Sequence, residues 1–389
     1  MVDFNFCLPT KLYFGKEKEL LVGSILKEEN AKNILVVIGG SSCKKSGLLT
    51  RILENLRSFS LNYFLLEGIR PNPEISGVIE GIHVAKENKC DYILAIGGGS
   101  VIDTAKLIGV GYYYDGNPFD FNLKKATPSK TLPVGVILTM SAAGSEMSNS
   151  CVVQDDKSMI KKGFNSEVIR PKFVIENPEL TYTVKPKATS FGIVDILMHT
   201  FERYFQRSGN DETADFLAEG ILSSVIKNGK KAVFDPTNYE ARANVMLCST
   251  YSHNGITGMA KPFSLPIHQI EHGLSGMYPR IAHGEGLAIL FPAWCKYYLT
   301  YQYKKFARLG KILFGINNKD EKECANEFVV RIEDYFREIL SPTKFSDLGV
   351  NIDYEALANI VTNNGNLIIP CEYKDMDIEV VKQILDLAR

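Results

Sequence analysis

The sequence predicts two architectures in one chain: an α/β domain over residues 1–185, built on a parallel sheet, and an all-α domain over residues 186–389. Three observations predict it. Short apolar runs rich in β-branched residues alternate with stretches of helical spacing from Lys16 to about Asn177, the pattern of a sheet covered on both faces. Two of those runs end in glycine clusters. Beyond Lys187 the strand signal stops and long helical periods take over, and 389 residues exceed what one hydrophobic core usually supports.

Taken in order, Leu12 to Phe14 reads as an edge strand and Lys16 to Glu28 as a helix. NILVVIGG from Asn33 is a buried parallel strand running into Gly39, Gly40, Ser41 and Ser42. A helix at Ser46 to Leu56, a strand at Asn62 to Leu66, the turn Pro71 to Pro73 and a helix at Ile75 to Lys89 follow. The strand Tyr92 to Ile96 then meets Gly97, Gly98, Gly99 and Ser100, with a helix expected from about Val101. LPVGVILT from Leu132 is a further strand, closed by the small-residue loop MSAAGSE. Helical spacing marks Ser190 to Gln206, Glu212 to Lys230, Glu240 to Thr257, Tyr303 to Leu313, Lys319 to Ile339 and Tyr354 to Ile360.

Composition narrows the function. A net charge of −1 with 23% charged residues gives no electrostatic case for nucleic acid or an anionic membrane. Eight scattered cysteines form neither a disulfide framework nor a thiolate metal site. The start MVDFNFCLPTKLYFG lacks the pattern of a signal peptide, and no apolar run reaches bilayer length. A cytoplasmic enzyme of small-molecule chemistry is therefore expected.

The glycine clusters suggest which small molecule. Glycine lets backbone approach a ligand closely, and a following helix turns free N–H groups toward a phosphate. GGGS is not the GxGxxG fingerprint, and a tight turn would look the same. Two glycine-rich strand ends together, however, suggest a dinucleotide on a Rossmann-like sheet. No acid occurs from Gly39 to Leu53, whereas Ser41, Ser42, Lys44 and Lys45 do. That balance leans to NADP(H), with NAD(H) as the alternative, since a 2′-phosphate is repelled by carboxylates and drawn to cations.

The second half supplies the chemistry. His268–Gly286 holds three of the chain's six histidines, and His268 and His272 are one helical turn apart. Asp195 and His199 repeat that spacing within an apolar helical pattern. A helix face with satisfied histidines would give one such pair. Two pairs plus His283 favour a borderline divalent ion, ferrous iron or zinc, over magnesium or calcium.

These residues resemble a known family. GGGSVIDTAK at Gly97–Lys106, LTMSAAGSEMS at Leu138–Ser148, NPELTYT at Asn177–Thr183, the Asp195 and His199 helix, and HxxxH followed by AHGEGLAILFPAW are similar to the iron-containing (group III) alcohol dehydrogenases. Within them they resemble the NAD(P)H-dependent butanol dehydrogenase and aldehyde reductase branch. The resemblance implies a dehydroquinate synthase-like fold, with a dinucleotide-binding α/β domain followed by an all-helical metal domain. It implies Fe2+, or Zn2+ in its place, on Asp195, His199, His268 and His283, with His272 a catalytic residue near the nicotinamide. It implies cofactor contacts from Gly39, Gly40, Ser41, Asn72, Gly98, Gly99, Ser100, Thr139, Lys161, Leu180 and Thr183, with Lys162 competing for the place of Lys161. Three positions depart from the family pattern: Ala143 in place of threonine, Asn177 in place of aspartate, and Gly276 with Pro279 between the HxxxH pair and His283.

The expected activity is hydride transfer between NAD(P)H and a small aldehyde or primary alcohol, with a homo-oligomer, a dimer in the simplest case, as the expected assembly. Phe263, Leu265, Met277 and Tyr278 suggest an apolar substrate. His83 and His253 read as ordinary surface or core histidines. The rivals are a glycerol or polyol dehydrogenase, a lyase of the dehydroquinate synthase type, and a catalytically silent nucleotide-binding protein. The lyase needs a strongly basic site, and the segments around the metal helices offer mainly Lys261 and Arg280.

Overall fold

The structure, a computed structural model, describes residues 3–158, 160–206 and 211–389. It separates into two compact units, one spanning Cys7–Val184 and the other Lys185–Arg389 with the N-terminal strip that ends at Phe6.

In order, the first unit contains β1 (Lys11–Phe14), α1 (Val22–Glu28), β2 (Asn33–Ile38), α2 (Ser42–Lys45), α3 (Leu48–Ser58), β3 (Asn62–Leu66) and α4 (Ile75–Glu87). It continues with β4 (Tyr92–Gly97), α5 (Gly99–Gly111), α6 (Phe119–Asn122), β5 (Val134–Leu138), β6 (Ser150–Gln154), β7 (Lys161–Asn165) and β8 (Phe173–Glu176). Among the described residues six strands form a sheet in the order β1-β8-β5-β4-β2-β3, every neighbouring pair parallel. β6 and β7 pair separately as an antiparallel hairpin. The central strands are apolar on both faces because helices cover both, and β4 is buried along its whole length.

The strand order positions the site. β2 leads through α3 to β3 on one side, while its neighbour β4 leads through α5 to β5 on the other. Where two adjacent parallel strands send their connections opposite ways, a crevice opens at their carboxyl ends. Those ends are Gly39–Gly40 and Gly97–Gly99.

The second unit is helical: α7 (Pro186–Tyr204), α8 (Glu212–Phe234), α9 (Tyr239–His253), α10 (Pro266–Met277), α11 (His283–Tyr298), α12 (Lys304–Phe314), α13 (Glu321–Glu338), α14 (Tyr354–Val361) and α15 (Ile378–Leu387). Proline stands at the first position of α7 and α10, where its missing N–H costs nothing. α7 is the axial element: from Thr189 to Tyr204 all but Phe191 are buried. Its apolar residues share one core with those of α10 and α11. Gly284 makes the close approach of α11 possible, because a Cβ there would lie 2.1 Å from the Phe191 carbonyl oxygen on α7.

The differences from expectation are local. The helix expected over Lys16–Glu28 is a 3-10 turn at Lys18–Leu21 followed by α1. α5 begins at Gly99, two residues before the apolar run that marks it in sequence. α11 and α15 carry no separate prediction, α11 because its apolar residues run almost uninterrupted and show no polar face. No described helix is long and apolar enough to cross a membrane.

Candidate functional site

Three helices bring the sequence-predicted ligands together. Asp195 and His199 lie one turn apart on α7, His268 in the first turn of α10, and His283 at the first position of α11. Asp195 Oδ1 is 3.4 Å from His199 Nε2, 3.5 Å from His268 Nε2 and 3.7 Å from His283 Nε2. Donors bound at about 2.1 Å in a tetrahedron lie about 3.4 Å from each other, so the spacing suits one divalent ion. Asp195 Oδ1 and His268 Nε2 are buried without a hydrogen-bond partner, a costly state that a cation would relieve.

The imidazoles are held in this orientation by groups the sequence reading did not single out. His268 Nδ1 bonds Glu202 Oε2, and His283 Nδ1 bonds Glu271 Oε2. Both glutamates are buried, Glu271 completely. A carboxylate on Nδ1 keeps the proton there and turns the Nε2 lone pair toward the ligand position. Glu202 also accepts from the backbone N–H of Ile267 at 2.6 Å and of His268 at 3.3 Å. One carboxylate thus caps α10 and orients His268. The signal in sequence was a glutamate within each apolar pattern, Glu202 one turn after His199 and Glu271 immediately before His272.

His199 is prepared differently. Burial and the surrounding imidazoles, His253 first among them, push its pKa well below the usual value, so it is neutral and able to bind a cation. His253 is no remote histidine: its ring centroid lies 4.1 Å from that of His199, the planes tilted by 38°. The buried Arg203 donates to the His199 carbonyl at 2.7 Å and to His253 Nδ1 at 2.6 Å. Burial works against the charged form of His268, but Glu202 and Asp195 outweigh it and hold the pKa at about 9. His272 is half-buried, its ring centroid 5.6 Å from that of His283 and 6.3 Å from that of His268. Asp195, His199 and His268 form one close group of donors, and His272 forms a second, separate one with Glu271 and His283, joined to the first by the 3.7 Å from His283 Nε2 to Asp195 Oδ1.

In the α/β unit Gly39–Ser41, Gly98–Ser100 and Thr139 follow the carboxyl ends of β2, β4 and β5, whereas Lys161 opens β7. Gly98 caps α5, and the N–H groups of Gly99 and Ser100 precede the first helical acceptor. A Cβ at Gly98 would stand 3.3 Å from Met140, and one at Gly97 only 2.6 Å from Val101. Gly97 therefore serves packing, and Gly98 and Gly99 keep the helix start bare. Thr139 follows β5 and its N–H bonds the Gly97 carbonyl at 3.0 Å. Lys161 Nζ donates to Asn72 Oδ1 at 3.1 Å, while Lys162 is exposed on the hairpin. Leu180 packs half-buried beside the sheet core, and Thr183 is exposed beyond it.

The loop after β5 is fixed from below by a buried lysine. Lys106 Nζ donates to the carbonyls of Ser145, Ser148 and Ser150 at 2.6, 3.1 and 2.8 Å. Asp103 accepts from Ser145 Oγ at 2.6 Å and from the Val152 N–H at 2.9 Å. GGGSVIDTAK and MSAAGSE are thus one device, its aspartate and lysine gripping the loop that follows the next strand.

Matches to known proteins agree with this construction. The family model for iron-containing alcohol dehydrogenase covers residues 9–178, and the C-terminal model of the same family covers 189–388. The chain belongs to the iron-containing alcohol dehydrogenases. It is 39% identical over 372 residues to NADH-dependent butanol dehydrogenase A of Clostridium acetobutylicum, covering 95% of each chain. It is 30% identical to the NADPH-dependent aldehyde reductase YqhD of Escherichia coli over the full length of both. The crystal structure of NADH-dependent butanol dehydrogenase A from Thermotoga maritima superposes with a TM-score of 0.94 at 31% identity, covering 100% of this chain and 99% of that one.

Departures from the family pattern acquire local reasons in this dehydrogenase. Asn177 donates to the buried Glu19 at 3.0 Å, where an aspartate would set two carboxylates together. Ala143 Cβ lies 3.9 Å from where a Gly99 side chain would begin, close to the bare start of α5. Of the apolar residues proposed for substrate, Tyr278 is engaged elsewhere, its hydroxyl accepting from the Asp353 N–H at 2.9 Å. Phe263 is 62% exposed, with the Arg203 guanidinium 5.8 Å from its ring. Lys261, one of the few cations nearby, is buried and paired with Asp211 and Asp215, which removes it as a receptor for an anionic substrate.

Proposed function

We propose that this enzyme reduces small aldehydes to primary alcohols with NAD(P)H, using a ferrous ion on Asp195, His199, His268 and His283, with zinc as the substitute. The observation that carries the reading is the set of three Nε2 atoms 3.4–3.7 Å from one orphaned carboxylate oxygen. When bound, the ion polarises the substrate oxygen as a Lewis acid and the dihydronicotinamide supplies the hydride.

The chain's part is placement and proton handling. One carboxylate and three imidazoles leave a divalent ion with a net positive charge. Glu202 and Glu271 hold two of those imidazoles so that no reorientation accompanies the reaction. The bare start of α5 and the turn after β2 would receive the nucleotide's phosphates and adenosine, with Asn72 and Lys161 as further contacts. His272 would supply, from its imidazole, the proton that the product oxygen gains. The names of the Clostridium and Escherichia relatives, a butanol dehydrogenase and an aldehyde reductase, support the substrate class.

The test is steady-state reduction of a straight-chain aldehyde series, with glycerol oxidation alongside, after chelation and after reloading with Fe2+ or Zn2+. Activity that needs the ion and follows aldehydes is the expected result. Full activity without metal, or turnover confined to polyols, defeats the reading.

A further inference from the structure

The carboxyl end of β3 carries an acidic side chain, Glu67, which lies beyond the acid-free stretch Gly39–Leu53 in sequence and which the sheet brings beside Gly39. Leu66 pairs with Val37, the Gly68 N–H bonds the Gly39 carbonyl at 3.0 Å, and the Ile69 N–H bonds the Ile38 carbonyl at 3.3 Å. The segment leaving β3 therefore runs along the turn after β2. Glu67 Oε2 accepts from Lys44 Nζ at 2.6 Å, with 48% of the lysine and 40% of the glutamate side chain exposed. The turn itself is open: a Cβ at Gly40 or at Gly68 would meet nothing within 4 Å.

We propose that Glu67, by engaging Lys44 and presenting a carboxylate beside the Gly39–Ser41 turn, makes this dehydrogenase select NADH over NADPH. The inference rests on the reading that this turn flanks the adenosine ribose. A ribose 2′-hydroxyl can donate to a carboxylate, while a 2′-phosphate is repelled by it and finds the nearest cation already paired. The exposed Lys45 and Ser41 remain on the same turn, and the groups are solvated. The discrimination is therefore on the order of tenfold rather than thousandfold.

Calorimetric titration of the metal-loaded enzyme with NADH and with NADPH tests this without relying on turnover. The wild-type protein is expected to bind NADH more tightly. Glu67→Gln should bring the two affinities together by improving NADPH binding about tenfold, and adding Lys44→Gln should remove that gain. A wild type that binds NADPH as tightly as NADH, or a Glu67→Gln protein with an unchanged ratio, overturns the selectivity and leaves the nucleotide reading standing. Binding of neither nucleotide overturns both.

Discussion

Around Asp195 the donors are side chains, and two of them, His268 and His283, have their direction set by a further side chain, whereas at the ends of β2 and β4 the groups on offer are backbone N–H groups left bare by glycine. The metal cradle has a second layer, Glu202 and Glu271, aiming His268 and His283. The nucleotide edge is supported from beneath, by the buried Lys106 and the half-buried Asp103 under the loop after β5. An ion with short bonds requires placement to fractions of an ångström, so the fold spends buried carboxylates on orientation. A pyrophosphate spreads its charge over several oxygens, and a helix start with no side chains in the way suffices.

Four changes would break or sharpen that contrast. The largest effect is expected from Lys106→Met, which removes the buried cation beside the half-buried Asp103 and the lysine donor from three serine carbonyls. Removing one member of such a buried group costs about 3–5 kcal/mol, to be read from the denaturation midpoint, with nucleotide affinity falling before metal content. Asp195→Ala or His268→Ala should do the reverse. Metal affinity, followed by chelator competition, should fall more than about a hundredfold, while NADH titration is little changed. If either variant keeps its metal after dialysis, the ligand set is wrong.

Glu202→Gln and Glu271→Gln probe the second layer alone. Each should weaken metal affinity by about ten- to a hundredfold, with nucleotide binding intact. An unchanged affinity would reduce these glutamates to helix packing. The smallest effect is on pH. Glu202 and Asp195 hold a proton on His268 up to a pKa of about 9, so a cation binding at neutral pH must displace it. Metal affinity should therefore rise as pH increases toward 9 and fall on acidification, by at most about tenfold per pH unit. In the metal-free protein the same raised pKa adds stability below the ordinary histidine value. That contribution is lost as pH climbs through about 9, so the metal-free melting temperature should drop there more than the loaded one.

What the sequence disclosed tracks what is periodic or compact in it. Apolar runs located β1 to β5 to within two residues, though not β8, and the spacing of Asp195 with His199 and of His268 with His272 marked the helices that meet. Glu202 and Glu271 escaped because a glutamate in a helical pattern reads as a solvated face until its burial is known. His253 escaped because its neighbour His199 is distant in sequence and close only through the packing of α9 on α7. Glu67 escaped for a topological reason: β3 lies beside β2 in the sheet, so an acid beyond the following helix returns to the same turn. Lys106 was visible as part of a motif, but its five acceptors lie in a loop whose position depends on β5.

The pairing of β1 with β8 has a consequence for how the chain reaches this state. Lys11 stands opposite Phe173, so β1 waits for the last strand of its own sheet, across a loop of roughly 160 residues whose closure carries an entropic cost. Such long-range pairing slows collapse to the native topology. Until Phe173–Glu176 is synthesised, β8's flank on β5 is also bare, and a nascent chain stalled before that point exposes an apolar strand edge open to chaperones and to aggregation.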